Sequence, residues 1–467
     1  WHPTPEAWAA WQMTFDLAKE MVDSGSAKPG FNPFGEYYQL KSFGSLKKPA
    51  KVMSPKELMK RLSGVHVAPT AKYVLHRSPE AYSTYSFHNF SANSGLLTRD
   101  PVALNTGGDG GVLVRSKREK DKQPVEDSLG SRTWGKREIH GPVVADDGFS
   151  IVVRRETKHG IINYTANVSL PGCTTVLVSR TLAAEDMAVD KLHMARKTFL
   201  LKQNTSALAR TGLKKWPWWG DHKVYLPESK ELKFSSSWYR PELNPRPAWV
   251  NVGNRMGYVA KGTSSMIGAG GQAIIFEYND VFREVKAGEE IGRVILVTFP
   301  GVTAEETAFL AEDVRMLEGL PKNVYAVSVP KVKGVDTPVW VIVNFRNEPV
   351  KVALPPEVGG DGEVTVKENS CVTFYAQGKK PVRIARKPTL TRKGYDAVEV
   401  GMDKARVARA LGEPTEKFVN VHMYLDDDPM GNVEAHVYFD AAGKVVGKRF
   451  DNSANPEEKD RAGEVPK

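Results

Sequence analysis

Cysteine is nearly absent: Cys173 and Cys371 are the only two in 467 residues. They stand roughly 200 residues apart, and neither belongs to a Cys-x-x-Cys or Cys/His spacing. A disulfide framework and a cysteine-built zinc site are therefore excluded. No stretch approaches 18 uninterrupted apolar residues, so no segment reads as a membrane-spanning helix. The Gly-x-Ser-x-Gly and His-Glu-x-x-His motifs are missing. The glycine runs at 107–111 and 268–271 lack the strand-then-helix context of a phosphate loop and read as turns. The chain opens Trp1-His2-Pro3 with no Met and no signal sequence, which reads as a processed or truncated start that says nothing of targeting.

What is present is ordinary in quantity and uneven in kind. Hydrophobic residues make up 41% and charged residues 26%, the balance of a folded protein. The length corresponds to about three domains at roughly 150 residues each. The 40 Gly and 30 Pro residues, with many Val/Thr-rich runs, favour strands and turns and predict a mainly β chain. Lys and Arg number 65 against 55 Asp and Glu, a net charge of +10 that favours polyanionic partners. An aromatic-plus-basic strand motif of the RNA-binding type is lacking, so nucleic acid is not expected.

The pattern divides the chain. Residues 1–70 read as helix and loop, with Trp8, Trp11, Phe15, Ala18 and Val22 along one helical face and Ser54 to Glu57 as a capping box. From 71 to 320 the period is two, in runs such as Tyr82 to Phe90, Ile161 to Leu170 and Arg293 to Phe299. These predict a large antiparallel β sandwich closed by a helix from Ala304 to Glu318. Residues 321–380 predict a small second β sandwich, 381–393 a basic linker, 394–452 a C-terminal α+β module, and 453–467 a charged tail.

Two stretches resemble known families. The run Gly401-Met402-Asp403-Lys404-Ala405-Arg406-Val407 through Leu411-Gly412-Glu413-Pro414, with Tyr438-Phe439-Asp440 and Gly443-Lys444-Val445, resembles the SmpA/OmlA domain of the outer-membrane assembly lipoprotein BamE. That resemblance implies a helix pair on a three-stranded sheet that contacts an envelope protein. The segments Lys72 to Pro79, Trp218 to Leu226 and Trp249 to Val259 resemble the super-sandwich of heparinase II/III-type and chondroitinase-type polysaccharide lyases. That resemblance implies an acidic polysaccharide as partner, β-elimination as the chemistry, and an (α/α) toroid whose last helix corresponds to Pro5 to Val22. Together the two place the chain at a bacterial envelope, periplasmic or outer-membrane-associated, or in the secreted fraction. No cofactor and no metal are expected. The alternative is a non-catalytic envelope scaffold.

A uronate lyase neutralises a carboxylate, removes the C5 proton and protonates the departing oxygen. Residues 76 to 93 contain every type needed. The candidate catalytic set is His88, Tyr82, Arg77 and Asn89, with His76 and Tyr85 as substrate contacts. On one continuous strand Tyr82 and His88 share a face and Tyr85 takes the other. A second cluster, Lys215, Trp216, Trp218, Trp219 and His222, sets indoles beside cations. Two readings stand there: stacking on sugar rings and packing beneath a loop. The Asn-x-Ser/Thr triplets at Asn89, Asn163, Asn167 and Asn204 matter only in a eukaryotic secretory pathway.

Overall fold

The computed structural model describes residues 54, 57, 60, 62–68, 73–86, 91–96, 103–104, 112–128, 134–145, 147–198, 223–232, 242–243, 246–262, 266–269, 273–354, 362–377, 380–383, 390–414, 416–417, 420–425 and 433–452. Its centre is an antiparallel sheet of nine strands. The long strands Gly148–Thr157, Ile161–Leu170, Thr174–Ala183 and Glu290–Pro300 form the middle of that sheet. Residues 294 to 299 are all buried, because this sheet is covered on both faces. A strand in that position has no solvent side and loses the polar alternation of a half-exposed strand.

A seven-stranded sheet covers one face, where Leu177, Tyr258 and Leu296 meet Met194, Ile274 and Phe276. On the other face Val168, Val178 and Val297 pack against the helix Ala304–Asp313 and against Tyr325, Val327 and Val341 of a five-stranded sheet. The expected mainly β fold of antiparallel sheets is present. The small unit, expected as a sandwich of its own, shares this core with the large one. Its outer face is closed by the two-stranded ribbon Val350–Ala353 and Glu363–Val366.

Three boundaries differ from expectation. Gly64–Ala68 is a strand, since Val67 is buried with Val74 and Tyr85 against Phe149, Ile151 and Val153 of the central sheet. The helix expected to reach Glu318 ends at Asp313, because Val314 turns extended and buried and Arg315–Met316 joins the sheet. It begins as its sequence implies: the Thr303 hydroxyl accepts from the Glu306 amide at 3.1 Å, and the Glu306 carboxylate accepts from the Thr303 amide at 2.8 Å. A Cβ at Gly257 would lie 2.6 Å from the Thr307 hydroxyl, so glycine there lets the helix rest on the strand beneath it. The linker expected at 381–393 is shorter, since Lys380–Arg383 pairs with Ser370–Gln377 and Leu390 is buried in the next core.

That last core belongs to the C-terminal module. Tyr395, Val407, Leu411, Val437 and Phe450 pack between the helices Arg392–Asp396 and Lys404–Leu411 and a four-stranded sheet. The Asp403 carboxylate caps the second helix by accepting from the Arg406 amide at 2.8 Å, and Gly412 with φ 76 ends it. The Ser54 to Glu57 capping box also forms, its hydroxyl accepting from the Glu57 amide at 3.2 Å. The aromatic helix expected over Pro5 to Val22 lies outside the described residues.

Candidate functional site

Alternate positions of the strand Ile161–Leu170 are polar: Asn163, Thr165, Asn167 and Ser169. Period two puts them on one face. That face points into the protein, and none of the four is more than 8% exposed. Thr175, Ser179 and Thr181 stand beside them in register on the next strand. A polar row thus runs through the interior between the sheets. It accounts for the triplets Asn163-Tyr164-Thr165 and Asn167-Val168-Ser169, whose asparagines are too buried in the folded chain to carry a glycan.

One end of the row is closed by Arg155, which has no exposed surface. Its guanidinium donates to Asn163 Oδ1 at 2.6 Å, and the Thr165 hydroxyl donates to the same oxygen at 2.8 Å. Asn163 Nδ2 donates onward to Ser179 Oγ, the Arg180 carbonyl and Thr181 Oγ1, each at 3.1 Å. A buried polar group costs little when its partners are present, and at this end both polar atoms of the Asn163 side chain have them.

The other end is open. Lys197 is 7% exposed and has neither a hydrogen bond nor an ion pair among the described residues. Burial alone pulls its ammonium down to about 8, with no acidic neighbour to hold it up. Asn167 Nδ2 is also buried without a partner. Both residues line a narrow cleft of about 330 Å³, with the register pair Ser83 and Ser94 and with Thr175. These groups offer an ammonium, an amide NH₂ and three hydroxyls to one small space. A carboxylate, which only accepts, satisfies them.

The strand Met187–Thr198 aims Lys197 in an unusual way. Leu192 and Met194 face the core, so strict alternation would bury Arg196 and expose Lys197. The reverse is found, with Arg196 exposed and Lys197 buried. Between them Ala195 has φ 53, a left-handed conformation that alanine rarely adopts, and it is left out of the register with the neighbouring strand. Such strain persists where the surroundings hold it, and it collects at functional sites.

The residues proposed from sequence divide between faces of the N-terminal sheet. His76 has no exposed surface, and both ring nitrogens are engaged, Nδ1 with Ser169 Oγ at 2.8 Å and Nε2 with Asp147 Oδ1 at 2.6 Å. Expected as a substrate contact, it is instead a bridge from the polar row to Asp147. The Ser-His-Asp order invites comparison with a hydrolytic triad. Here the hydroxyl is buried and the carboxylate is the exposed member, opposite to what a nucleophile requires. Tyr85, also expected to touch substrate, is fully buried against Phe149 and Ile151 and serves packing. Arg77 and Tyr82 are register partners on the opposite, half-buried face. Burial raises the Tyr82 phenol, which keeps it protonated, and lowers the Arg77 guanidinium. His88, Asn89, Lys215, Trp216, Trp218, Trp219 and His222 lie outside the described residues.

Lys197 was not legible as a site residue, because its strand is rich in charge and breaks period at Ala195. Asn167 carried a signal, the polar repeat at every second position of an otherwise apolar strand.

Comparison with known proteins adds little. The chain forms a layered, mainly β protein, and two of the solved structures it aligns with are distant in sequence. They are heparinase III, at 11% identity over 67% of this chain and 46% of that one with a TM-score of 0.30, and heparan sulfate lyase HepC from Pedobacter heparinus, at 8% identity over 73% and 48% with a TM-score of 0.30. The chain spans about half the length of either. Likeness at that level defines neither fold nor function. No protein-family model matches the chain, the C-terminal module included, and no curated protein matches it.

Proposed function

We propose that this protein recognises an acidic polysaccharide by seating a uronate carboxylate on Lys197 and Asn167. The observation that carries this reading is a cleft where Lys197, with no hydrogen bond or ion pair among the described residues, and the buried, unpartnered Asn167 amide meet among hydroxyls. A buried cation without a counter-charge is costly, and an anionic ligand removes that cost. The net charge of +10 draws a polyanion in without selecting it.

The test is binding of polygalacturonate, alginate, heparin and dextran sulfate to the wild type, to Lys197→Met and to the control Lys158→Met, at several salt concentrations. A charge-assisted hydrogen bond contributes about 1.5 to 3 kcal/mol, so polyuronate affinity is expected to fall about 10- to 100-fold in Lys197→Met alone. Dextran sulfate, which has no carboxylate, is expected to bind all three proteins alike through general charge. Equal polyuronate affinity in wild type and Lys197→Met would sink the proposal.

A further inference from the structure

A second recess, distant in character from the Lys197 cleft, lies where the edge strand Trp134–Ala145 of the central sheet faces the turn before Ser370–Gln377. It encloses about 730 Å³, open to solvent. Two of its polar side-chain atoms are buried without partners. Asn369 is 6% exposed, and its Oδ1 is buried with no partner. The amide on the same side chain is already committed, Nδ2 donating to Asn347 Oδ1 at 3.3 Å. His140 Nε2 is likewise buried without a partner. Burial lowers the ring below its ordinary value, against the pull of Glu138 and Glu368, so it stays neutral, with one ring nitrogen a donor and the other an acceptor. Glu368 and Lys367 stand exposed at the rim and cancel in charge. The aliphatic side chain of Val143 forms part of the wall.

We infer that this groove binds a neutral, polyhydroxylated sugar, its hydroxyls donating to Asn369 Oδ1 and pairing with His140 Nε2 while its C–H face lies on Val143. The donor inventory selects this class. A carboxylate or sulfate brings only acceptors and cannot donate to the unpartnered Asn369 Oδ1. A metal ion would need at least three convergent ligands, and no such group of His, Cys, Asp and Glu is found among the described residues. Sugar hydroxyls spaced around a ring can reach several acceptors while the ring covers an apolar wall. Asn369 is held in the left-handed region at φ 44, so its orientation is set by the turn rather than by chance rotation of an extended strand.

Saturation-transfer NMR with cellohexaose and maltohexaose as probes, on the full chain, tests the inference. Signal transfer to sugar ring protons is expected for at least one of them with the wild type. Asn369→Gly deletes the amide while tolerating the positive φ, and His140→Leu removes the second partner. Each is expected to weaken binding at least tenfold with the melting temperature close to that of wild type. Lys197→Met is expected to leave it unchanged, which separates this site from the polyuronate cleft. Absence of transfer from both oligosaccharides to folded wild type would overturn the inference, as would unchanged affinity in both groove variants. Binding of N-acetyl-lysine methyl ester in the groove with neither sugar bound would overturn it in favour of a cationic ligand.

Discussion

Arg155 and Lys197 are both buried cations beside one row of polar side chains, at 0% and 7% exposure, yet their surroundings differ completely. Arg155 meets Asn163, and Asn163 spends every remaining hydrogen-bonding atom on Thr165, Ser179, the Arg180 carbonyl and Thr181. Among the described residues Lys197 meets no acceptor and stands beside an Asn167 amide that has none either. Guanidinium stays charged at any pH the protein meets, so its site must be completed by the chain itself. An ammonium can shed its proton or await an anion. The completed end therefore reads as architecture and the uncompleted end as a site.

The sharpest way to break this comparison is to damage the completed end. Asn163→Leu removes the acceptor of Arg155 and one partner from each of three hydroxyls, and is expected to destabilise the protein by about 3 to 5 kcal/mol. Urea denaturation measures it; a loss below about 1 kcal/mol would mean that the network holds nothing together.

Lys197→Met should act in the opposite direction. An unfolded lysine titrates near 10.4 and the folded one at about 8. Below about pH 8 both states are protonated, and the folded state bears the full cost of the buried charge. Between pH 8 and the unfolded value the unfolded chain binds more protons than the folded one, so stability rises with pH in the wild type. Above that range both are neutral and the cost is gone. Lys197→Met is thus expected to stabilise at pH 7, by on the order of 2 to 3 kcal/mol, with the gain fading toward pH 10.5. Comparing urea midpoints of the two proteins at pH 7 and pH 10 checks both sign and slope. A destabilised Lys197→Met at pH 7 would show that the ammonium has a partner after all.

The smallest effect is expected at Ala195→Gly. Glycine relieves a left-handed alanine, worth roughly 1 to 2 kcal/mol, but gives up a buried methyl and adds backbone entropy to the unfolded chain. Stability should move by less than about 1 kcal/mol, and polyuronate affinity should hold if Lys197 keeps its aim. A large loss of affinity with unchanged stability would show that the alanine itself fixes the lysine.

The two regions also differ in how well they could be read in advance. The strands Ile161–Leu170, Thr174–Ala183 and Met256–Lys261 were legible because β-branched runs between turn residues mark them, and their ends agree with the sequence pattern within a few residues. The strands that carry Lys197 and His140 were not. Met187–Thr198 has a left-handed residue at 195 and an irregular register near Asp190, and Trp134–Ala145 has register shifts on either side of its middle, including one between His140 and Val143. Irregularities re-aim side chains, and the same break of period that places a functional residue hides its strand from a period-two reading. His76 and Tyr85 misled for another reason. Residue type showed what they could do, but only the packing of the N-terminal sheet on the central one showed that both are spent inside.

The sequence by itself determined the class: mainly β, antiparallel, with a helix-and-sheet module at the C-terminal end, because turn residues, β-branched runs and helix caps act locally. It also determined that polar residues would recur at every second place in Ile161–Leu170. Tertiary structure alone decided that this row faces inward, that the small sheet shares the large one's core, and that Arg155 finds an acceptor in Asn163 while Lys197 finds none among the described residues. Those outcomes depend on which groups meet across sheets from segments tens to hundreds of residues apart, and hydrogen-bond satisfaction is a property of that meeting rather than of any residue in its own segment.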